Sequence, residues 1–346
     1  MDITQLRPID LSLAQSKPPL IAVSPTVSIQ TALTVMNKHH FTSLPIFSHD
    51  STKVISIVNL FDILLYLVGD LSTVQVDKFP LDHPVENVLG LDADRESYRI
   101  HKTNPNDKLL DTLRVFACGG HRSLVVDETD ETRNPWMLSQ TDIIRHIVHH
   151  PDCISNLIDM NATIQDLGFV DDSKQLTTVQ GHQQTALYTY RLMAEKKLSG
   201  IPILDEQGQF LGDLCLEDLP GANLDMVDLL DLPCVDYLKE LSHHNSSTAE
   251  RKMLLKEIID KMVKSDTHRV WILDGNKVIG VITMSDIMGR LCSQNPLTID
   301  QCLTGRRRTQ YPLPLIVHHL RPDFNPTHTR PDTLTSVFAL LQGPVL

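Results

Sequence analysis

The stretch HRVWILD at residues 268–274, followed by VIGVITMSD at residues 278–286, decides the fold of this chain. Both apolar runs are short and nearly continuous, which is typical of strands that are covered on both faces. A helix is predicted to begin at Asp286. Upstream, an apolar stripe at helical spacing predicts an amphipathic helix; the stripe consists of Leu255, Ile258, Ile259 and Met262.

Three weaker copies of this helix–strand–strand–helix unit precede it. The aspartates that align the copies lie 80, 76 and 68 residues apart; they are Asp62, Asp142, Asp218 and Asp286. The residues that open the first strands precede these aspartates by 20, 20, 19 and 17 positions; they are Thr42, Arg122, Ser199 and Arg269. Offsets this constant indicate an internal repeat, so the sequence predicts an α/β fold built from four repeats.

The repeats divide the chain into two modules with a tail at each end. The four predicted parts are an N-terminal tail (1–17), a first module of repeats 1 and 2 (18–150), a second module of repeats 3 and 4 (151–295) and a Pro-rich C-terminal tail (296–346). The third repeat is irregular, because Pro220 and Gly221 interrupt the helix expected after Asp218. The apolar segment 226–241 is a candidate to replace that helix.

Composition narrows the class of protein. The chain has 346 residues and a formal net charge of −12, which argues against nucleic acid as a main partner. No run of 18 apolar residues predicts a membrane span. The six cysteines include no CxxC pair, so a disulfide framework or a zinc ribbon is not expected. These features favour a protein of a reducing compartment, the cytoplasm or the nucleus.

The recurring aspartates are the candidate binding groups. A carboxylate can accept hydrogen bonds from both hydroxyls of a ribose, and the N-terminus of a helix favours phosphate. Side chains three residues earlier could donate to phosphate oxygens; they are Asn59, Ser139 and Thr283. The alternative is structural, because Ser/Thr-x-x-Asp before a helix also describes an N-terminal cap, which contributes about 1 kcal/mol.

The aspartate motif and its flanking strands, over residues 18 to 295, resemble the cystathionine-β-synthase (CBS) domain family. Four such repeats are similar to the gamma subunit of the AMP-activated protein kinase. The resemblance implies a disk-like pair of modules related by pseudo-twofold axes. It also implies adenine nucleotides (AMP, ADP or ATP) bound in clefts between repeats, and a protein kinase with catalytic and scaffold subunits as partner.

The same resemblance points to two His-Arg pairs as phosphate ligands. His121-Arg122 and His268-Arg269 stand where the gamma subunit has His-Arg, and arginine offers a planar fork of donors to phosphate. Two positions depart from the gamma subunit, which often has arginine in place of Thr42 and a basic residue in place of Asp142. The complete set of predicted nucleotide-binding residues is Asn59, Asp62, His121, Arg122, Ser139, Asp142, Asp218, His268, Arg269, Thr283, Ser285 and Asp286. Within this set, the pairings of Asp62 with His121-Arg122 and of Asp286 with His268-Arg269 rank highest.

Motifs for catalysis and metal binding are absent from the sequence. There is no GxSxG, no phosphate-binding loop with lysine, no GxGxxG and no HExxH. We therefore expect neither an enzyme nor a prosthetic group nor a metal. Two functions remain: a nucleotide-sensing regulatory subunit of a kinase, and a constitutive scaffold with partly degenerate sites that binds a kinase or phosphatase without sensing nucleotide.

Overall fold

The computed structural model describes residues 2–17, 19–50, 53–68, 81–89, 100–130, 133–220, 225–241 and 246–292. These residues belong to one compact unit, residues 1–307. The predicted C-terminal tail, 296–346, lies outside the described residues. Among the helices described, none has the length and apolar character needed to cross a membrane.

The first two repeats follow the predicted order of elements. A short helix, α1 (Leu13–Ser16), precedes them. Repeat 1 contains α2 (Ile29–His39), β1 (Ser43–Phe47), β2 (Val54–Asn59) and α3 (Leu60–Val68). Repeat 2 contains β3 (Lys102–Thr103), α4 (Leu109–Ala117), β4 (Arg122–Val125), β5 (Trp136–Ser139) and α5 (Gln140–His149).

The last two repeats share this order, with one exception. Repeat 3 contains β6 (Val179–Gln180), α6 (Ala186–Lys196), β7 (Gly200–Leu204) and β8 (Phe210–Cys215), and then only a 3₁₀ turn (Leu216–Asp218). Two short helices follow that turn, α7 (Asp225–Asp228) and α8 (Cys234–Glu240). Repeat 4 contains β9 (Thr248–Glu250), α9 (Leu255–Lys264), β10 (Arg269–Asp274), β11 (Lys277–Thr283) and α10 (Met284–Leu291).

Each repeat forms its own small sheet around an antiparallel hairpin. The hairpins are β1–β2, β4–β5, β7–β8 and β10–β11. In repeats 2 to 4 a strand of two or three residues pairs in parallel with the first hairpin strand. In repeat 1 a parallel bridge from Val23 to Ile46 takes its place. The predicted α/β repeat fold is confirmed, but the short parallel strands went unrecognised because two residues show no periodicity.

The backbone hydrogen bonds correct the sequence alignment, which set repeats 1 and 3 one residue out of register with repeats 2 and 4. In every repeat, the amide two residues before the aspartate donates to the residue just before the first strand; the acceptors are Thr42, His121, Ser199 and His268. Thr42 is therefore the counterpart of His121, not of Arg122. The first strands then open at Ser43, Arg122, Gly200 and Arg269. Counting from the aspartates missed this because the loops between the hairpin strands differ in length.

The predicted apolar stripes are buried in two shared cores. Repeats 1 and 3 pack together, with Leu33 and Phe61 in the same cluster as Tyr190. Repeats 2 and 4 form the other cluster, which joins Phe116 to Met288. The N-terminal tail belongs to this second core: Ile3, which is fully buried, and Leu6 pack there.

Helix α2 shows how the sequence sets an element that later borders the functional site. The Oγ atom of Ser28 accepts a hydrogen bond from the Thr31 amide and caps the N-terminus. The helix ends at His40, which adopts a left-handed conformation with φ 53°. This conformation turns the chain into β1 and leaves His39 and His40 at the C-terminal end of the helix.

The irregularity of repeat 3 is compensated by α8. Residues Cys234 and Tyr237 of this helix are buried in the core of repeats 1 and 3. The Tyr237 hydroxyl donates to the carbonyl of Asp218 at 2.8 Å, which ties α8 to the interrupted turn. The apolar segment 226–241 thus supplies the packing that the missing helix would have provided.

Four cysteines of the described residues are free thiols: Cys153, Cys215, Cys234 and Cys292.

Candidate functional site

All four recurring aspartates cap a helix or turn. Each carboxylate accepts from the backbone amide three residues earlier, at distances of 2.7–3.0 Å; the pairs are Asp62 with Asn59, Asp142 with Ser139, Asp218 with Cys215, and Asp286 with Thr283. In three of the repeats the bond is reciprocal, because the side chain of Asn59, Ser139 or Thr283 accepts from the aspartate amide. The cap alone therefore explains why the motif recurs.

The aspartates differ sharply in their surroundings. Asp62 is fully buried, whereas Asp286 is exposed. Asp142 is 7% exposed and, unlike the other three, lines a large cleft. The sequence ranked Asp62 and Asp286 first, but the structure directs attention to Asp142.

The cleft has a volume of about 1160 Å³ and receives residues from all four repeats. Repeat 1 contributes the end of α2 and Thr42, and repeat 2 contributes Arg122 and much of α5. The 3₁₀ turn of repeat 3 contributes Glu217, and the loop before β10 contributes His268. Three of the predicted binding positions of repeat 2 therefore meet here, together with one of repeat 4: Arg122, Ser139, Asp142 and His268.

The walls of the cleft are unusually rich in basic groups for a chain of net charge −12. Six histidines line it: His39, His40, His146, His149, His150 and His268. The permanently charged side chains balance, because three cations (Lys17, Arg122, Arg145) accompany three carboxylates (Asp142, Glu217, Asp266). Protonation of any histidine makes the wall positive, which favours an anionic ligand.

The pKa of one of these histidines, His146, is lower than usual. Burial lowers the pKa of His146, and the neighbouring His150 and His149 lower the pKa further. The rings of His146 and His150 lie 4.7 Å apart between centroids. This part of the wall therefore becomes charged only at a lower pH than an ordinary histidine requires.

The arginines of the two His-Arg pairs make equivalent contacts across each module. Arg122 Nη2 donates to Thr42 Oγ1 at 2.8 Å, and Arg269 Nη2 donates to Ser199 Oγ at 3.3 Å. Thr42 and Ser199 occupy the same position in repeats 1 and 3. The arginine of each even repeat thus reaches the hydroxyl that precedes the first strand of the odd repeat.

Arg269, however, lies beside a carboxylate and does not line the cleft. It is 7% exposed, and its Nη2 atom lies 3.7 Å from Glu217 Oε2. His268 Nδ1 lies 3.1 Å from the other oxygen of Glu217. The guanidinium also packs so closely over Gly200 that a Cβ atom there would lie 1.8 Å from Nη1. Arg269 is therefore part of a packed ionic cluster.

The electrostatics of this cluster reinforce that description. Burial works to raise the pKa of Glu217, but Arg269 and His268 outweigh it and lower the pKa to about 2. Burial likewise works to lower the pKa of Arg269, but nearby acidic groups, Glu217 among them, outweigh it and raise the pKa. Both side chains therefore stay charged across the physiological range.

Ser285, another predicted ligand, has a structural partner. Its hydroxyl accepts from Gln140 Nε2 at 2.9 Å, and the same amide nitrogen donates to the carbonyls of Phe116 and Gly120. These bonds join the start of α5 to the start of α10. Ser285 thus connects repeats 2 and 4.

Lys17 is the residue at the cleft that the sequence did not reveal. Its Nζ atom donates to Asp142 Oδ2 at 2.5 Å and to the Met137 carbonyl at 2.6 Å. Nothing in the local sequence marks it, because a single lysine in a predicted tail has no periodicity or motif. It is recognised only from the folded chain. Within the described ranges, no group of three or more His, Cys, Asp or Glu side chains could hold a metal ion.

Comparison with known proteins agrees with this architecture. Residues 12–69 and 238–293 match the family model of the CBS domain, and these segments contain the hairpins of repeats 1 and 4. The intervening repeats have the same hairpins and the same capped aspartates, apart from the missing helix of repeat 3. The chain is thus similar to CBS-domain proteins at the two matched segments, and it resembles gamma-type kinase subunits.

Two relatives illustrate the resemblance. The chain is 25% identical to the SNF1-related protein kinase regulatory subunit gamma-like PV42a of Arabidopsis thaliana, over 69% of this chain and 76% of the relative. It is 21% identical to Protein SDS23 of Kluyveromyces lactis, over 83% of this chain but only 62% of the relative. The chain thus spans less than two thirds of the yeast protein.

A solved structure shows the same fold. A Methanocaldococcus jannaschii protein, described as a proposed archaeal homologue of g-AMPK, superposes with a TM-score of 0.64 at 20% identity. The superposition covers 82% of this chain and 99% of the archaeal chain. Nearly the whole of that protein therefore has a counterpart here.

Proposed function

We propose that this chain is a non-catalytic regulatory subunit that binds an adenine nucleotide in the Asp142 cleft and regulates a partner protein kinase. The observation that carries the proposal is the cleft itself. A carboxylate at the start of α5 borders a volume of about 1160 Å³ whose walls also hold Arg122 and six histidines. Sites for small molecules usually have about 300–1,000 Å³, so a nucleotide can be accommodated.

The chemistry of the lining suits the two ends of a nucleotide. Asp142 supplies carboxylate oxygens that can accept from a ribose diol. Arg122 and His268 supply donors for phosphate, and a charge-assisted bond of this kind contributes about 1.5–3 kcal/mol. The histidines add positive potential without a permanent charge. No step of bond making or breaking is assigned to these residues.

Binding is tested by calorimetric titration of AMP, ADP and ATP against the purified chain. Asp142→Asn should weaken nucleotide binding at least tenfold, because the neutral amide is a poorer acceptor for a diol. Asp286→Asn is a matched control, since Asp286 makes the same cap but lies on the exposed surface outside the cleft. Equal loss in both variants, or no binding by the wild-type chain at millimolar nucleotide, would overturn the proposal.

The kinase partnership rests on the similarity to gamma-like subunits. It is tested by adding the purified chain to a purified SNF1-related kinase catalytic subunit, with and without AMP. AMP should change both the affinity of the complex and the kinase activity, because a ligand shifts an equilibrium only through differential binding to two states.

A constitutive scaffold is the second candidate function. Two specific contacts favour it, since Lys17 pairs with Asp142 and Glu217 pairs with Arg269. Each contact occupies a residue that the sequence predicted as a nucleotide ligand, Asp142 in the first case and Arg269 in the second. Kinase binding that is strong and independent of AMP, ADP and ATP would establish this alternative in place of the sensor.

A further inference from the structure

The N-terminal segment, residues 2–17, is anchored on repeat 2. Ile3 is fully buried, and the amide of Leu109 donates to the Leu6 carbonyl at 2.9 Å. The amide of Ile9 donates to the carbonyl of Pro105 at 3.0 Å. These contacts hold the segment against the start of α4. Lys17, at the end of this segment, lines the cleft.

The ammonium group of Lys17 covers the carboxylate of Asp142. The Asp142 side chain is 6% exposed, whereas the Lys17 side chain is 26% exposed. The lysine is therefore the more solvent-accessible partner of this ion pair. The second bond, to the Met137 carbonyl at 2.6 Å, fixes the ammonium on the side of β5. Burial lowers the pKa of Lys17, which the adjacent Asp142 partly opposes.

The oxygen that Lys17 contacts is already saturated. Asp142 Oδ2 accepts from the Ser139 amide at 2.7 Å and from the Ser139 hydroxyl at 2.7 Å, in addition to Lys17. Three donors leave this oxygen no capacity for a further hydroxyl. A diol that uses both carboxylate oxygens can bind only after the ammonium moves away and the Ser139 hydroxyl turns from Oδ2, and the ammonium is the charged competitor of the two.

We propose that Lys17 is an intramolecular competitor for the Asp142 carboxylate, so that the N-terminal segment sets the affinity of the cleft for ligands with a vicinal diol. This inference rests on the proposed nucleotide site and identifies how that site is regulated. Because the lysine is tethered, its effective concentration at the carboxylate is high, and a ligand must overcome it. Displacement of Lys17 would also release the end of the N-terminal segment.

The test compares two variants of the full chain, Lys17→Met and Lys17→Arg. Methionine keeps an unbranched stem but removes the charge, and arginine keeps the charge. Each is titrated with AMP and with 2′,3′-dideoxy-AMP, which has the same base and phosphate but no diol. Lys17→Met should bind AMP at least tenfold more tightly than the wild-type chain, while its affinity for the dideoxy analogue changes less than threefold. Lys17→Arg should behave as the wild type.

A second measurement separates competition from a change in folding. Thermal unfolding without ligand shows whether Lys17→Met is folded at the temperature of the titration. The double variant Lys17→Met/Asp142→Asn should lose the gain in AMP affinity. Equal or weaker AMP binding by folded Lys17→Met, or an equal gain for the dideoxy analogue, would overturn the competition. If wild type and both single variants are folded and none binds AMP, the proposed nucleotide site itself fails.

Discussion

The equivalent arginines of the two modules, Arg122 and Arg269, have different surroundings. Arg122 in the first half is half-buried and lines the cleft, and it donates to the hydroxyl of Thr42. Arg269 in the second half is buried between Gly200 and the Glu217 carboxylate. The position in the strand is equivalent, but the first arginine faces a volume that could receive a ligand, and the second completes an ionic cluster.

One position beside the two arginines differs between the odd repeats. Glu217 immediately precedes the repeat-3 aspartate, and the corresponding residue in repeat 1 is Phe61, which is buried in the apolar core. The Glu217 carboxylate lies beside Arg269 and is a counter-charge for it. The equivalent positions thus differ in chemistry between the two modules.

The largest expected effect is on stability when each arginine is removed. Arg269→Ala should lower the free energy of unfolding by about 2–3 kcal/mol, less than the loss for a fully buried pair because Glu217 is partly exposed. Arg122→Ala should lower it by less than about 1 kcal/mol. Urea denaturation of the two variants measures the difference. Equal losses would show that the two arginines have the same role.

Adding a methyl group under Arg269 should have a smaller effect. Gly200→Ala places a Cβ 1.8 Å from Nη1 and forces the guanidinium away from Glu217, which we expect to cost about 1–2 kcal/mol. Gly280→Ala is the control, because its Cβ would meet Ile272 at an ordinary 3.7 Å. Thermal melting of both variants measures the loss of stability. A Gly200→Ala variant as stable as Gly280→Ala would mean that the close packing around Arg269 is dispensable.

The smallest effect concerns pH. Since the pKa of Glu217 is lowered to about 2 in the folded chain, its ionised form stabilises the protein above its ordinary pKa, and this contribution is lost as the pH falls toward 2. The stability difference between wild type and Glu217→Gln should therefore shrink as the pH falls from about 4 toward 2, where Glu217 is protonated in the folded chain as well. A difference that stays unchanged down to about pH 2 would contradict the ionic cluster.

The sequence predicted the fold well because its signal is repeated. Apolar stripes such as that of Leu255 to Met262 and the regular aspartates fix the order of elements, and all four helices that precede the hairpins were expected. The break after Asp218 was also visible, since proline and glycine interrupt helices regardless of tertiary context. The register of the first strands was wrong by one residue, because loop lengths vary between repeats.

The site was harder to predict because it depends on which repeats meet. The sequence paired Asp286 with His268 and Arg269 and added Ser285 to the predicted ligands, yet these residues have different surroundings in the structure. His268 borders the cleft, Ser285 bonds to Gln140 of repeat 2, and Asp286 is exposed. Lys17 comes from a segment with no motif. Contacts between distant parts of the chain carry no local pattern.

The role of the two arginines is tested most directly by the AMP affinity of Arg122→Ala and Arg269→Ala, measured by calorimetry on samples shown to be folded at the temperature used. Arg122→Ala should weaken AMP binding at least tenfold, because a charge-assisted phosphate bond is lost. Arg269→Ala should weaken AMP binding less than Arg122→Ala, because Arg269 lies beside Glu217 and, unlike Arg122, does not line the cleft. The reverse result, with Arg269→Ala deficient and Arg122→Ala unaffected, would contradict the assignment of the phosphate contact to Arg122.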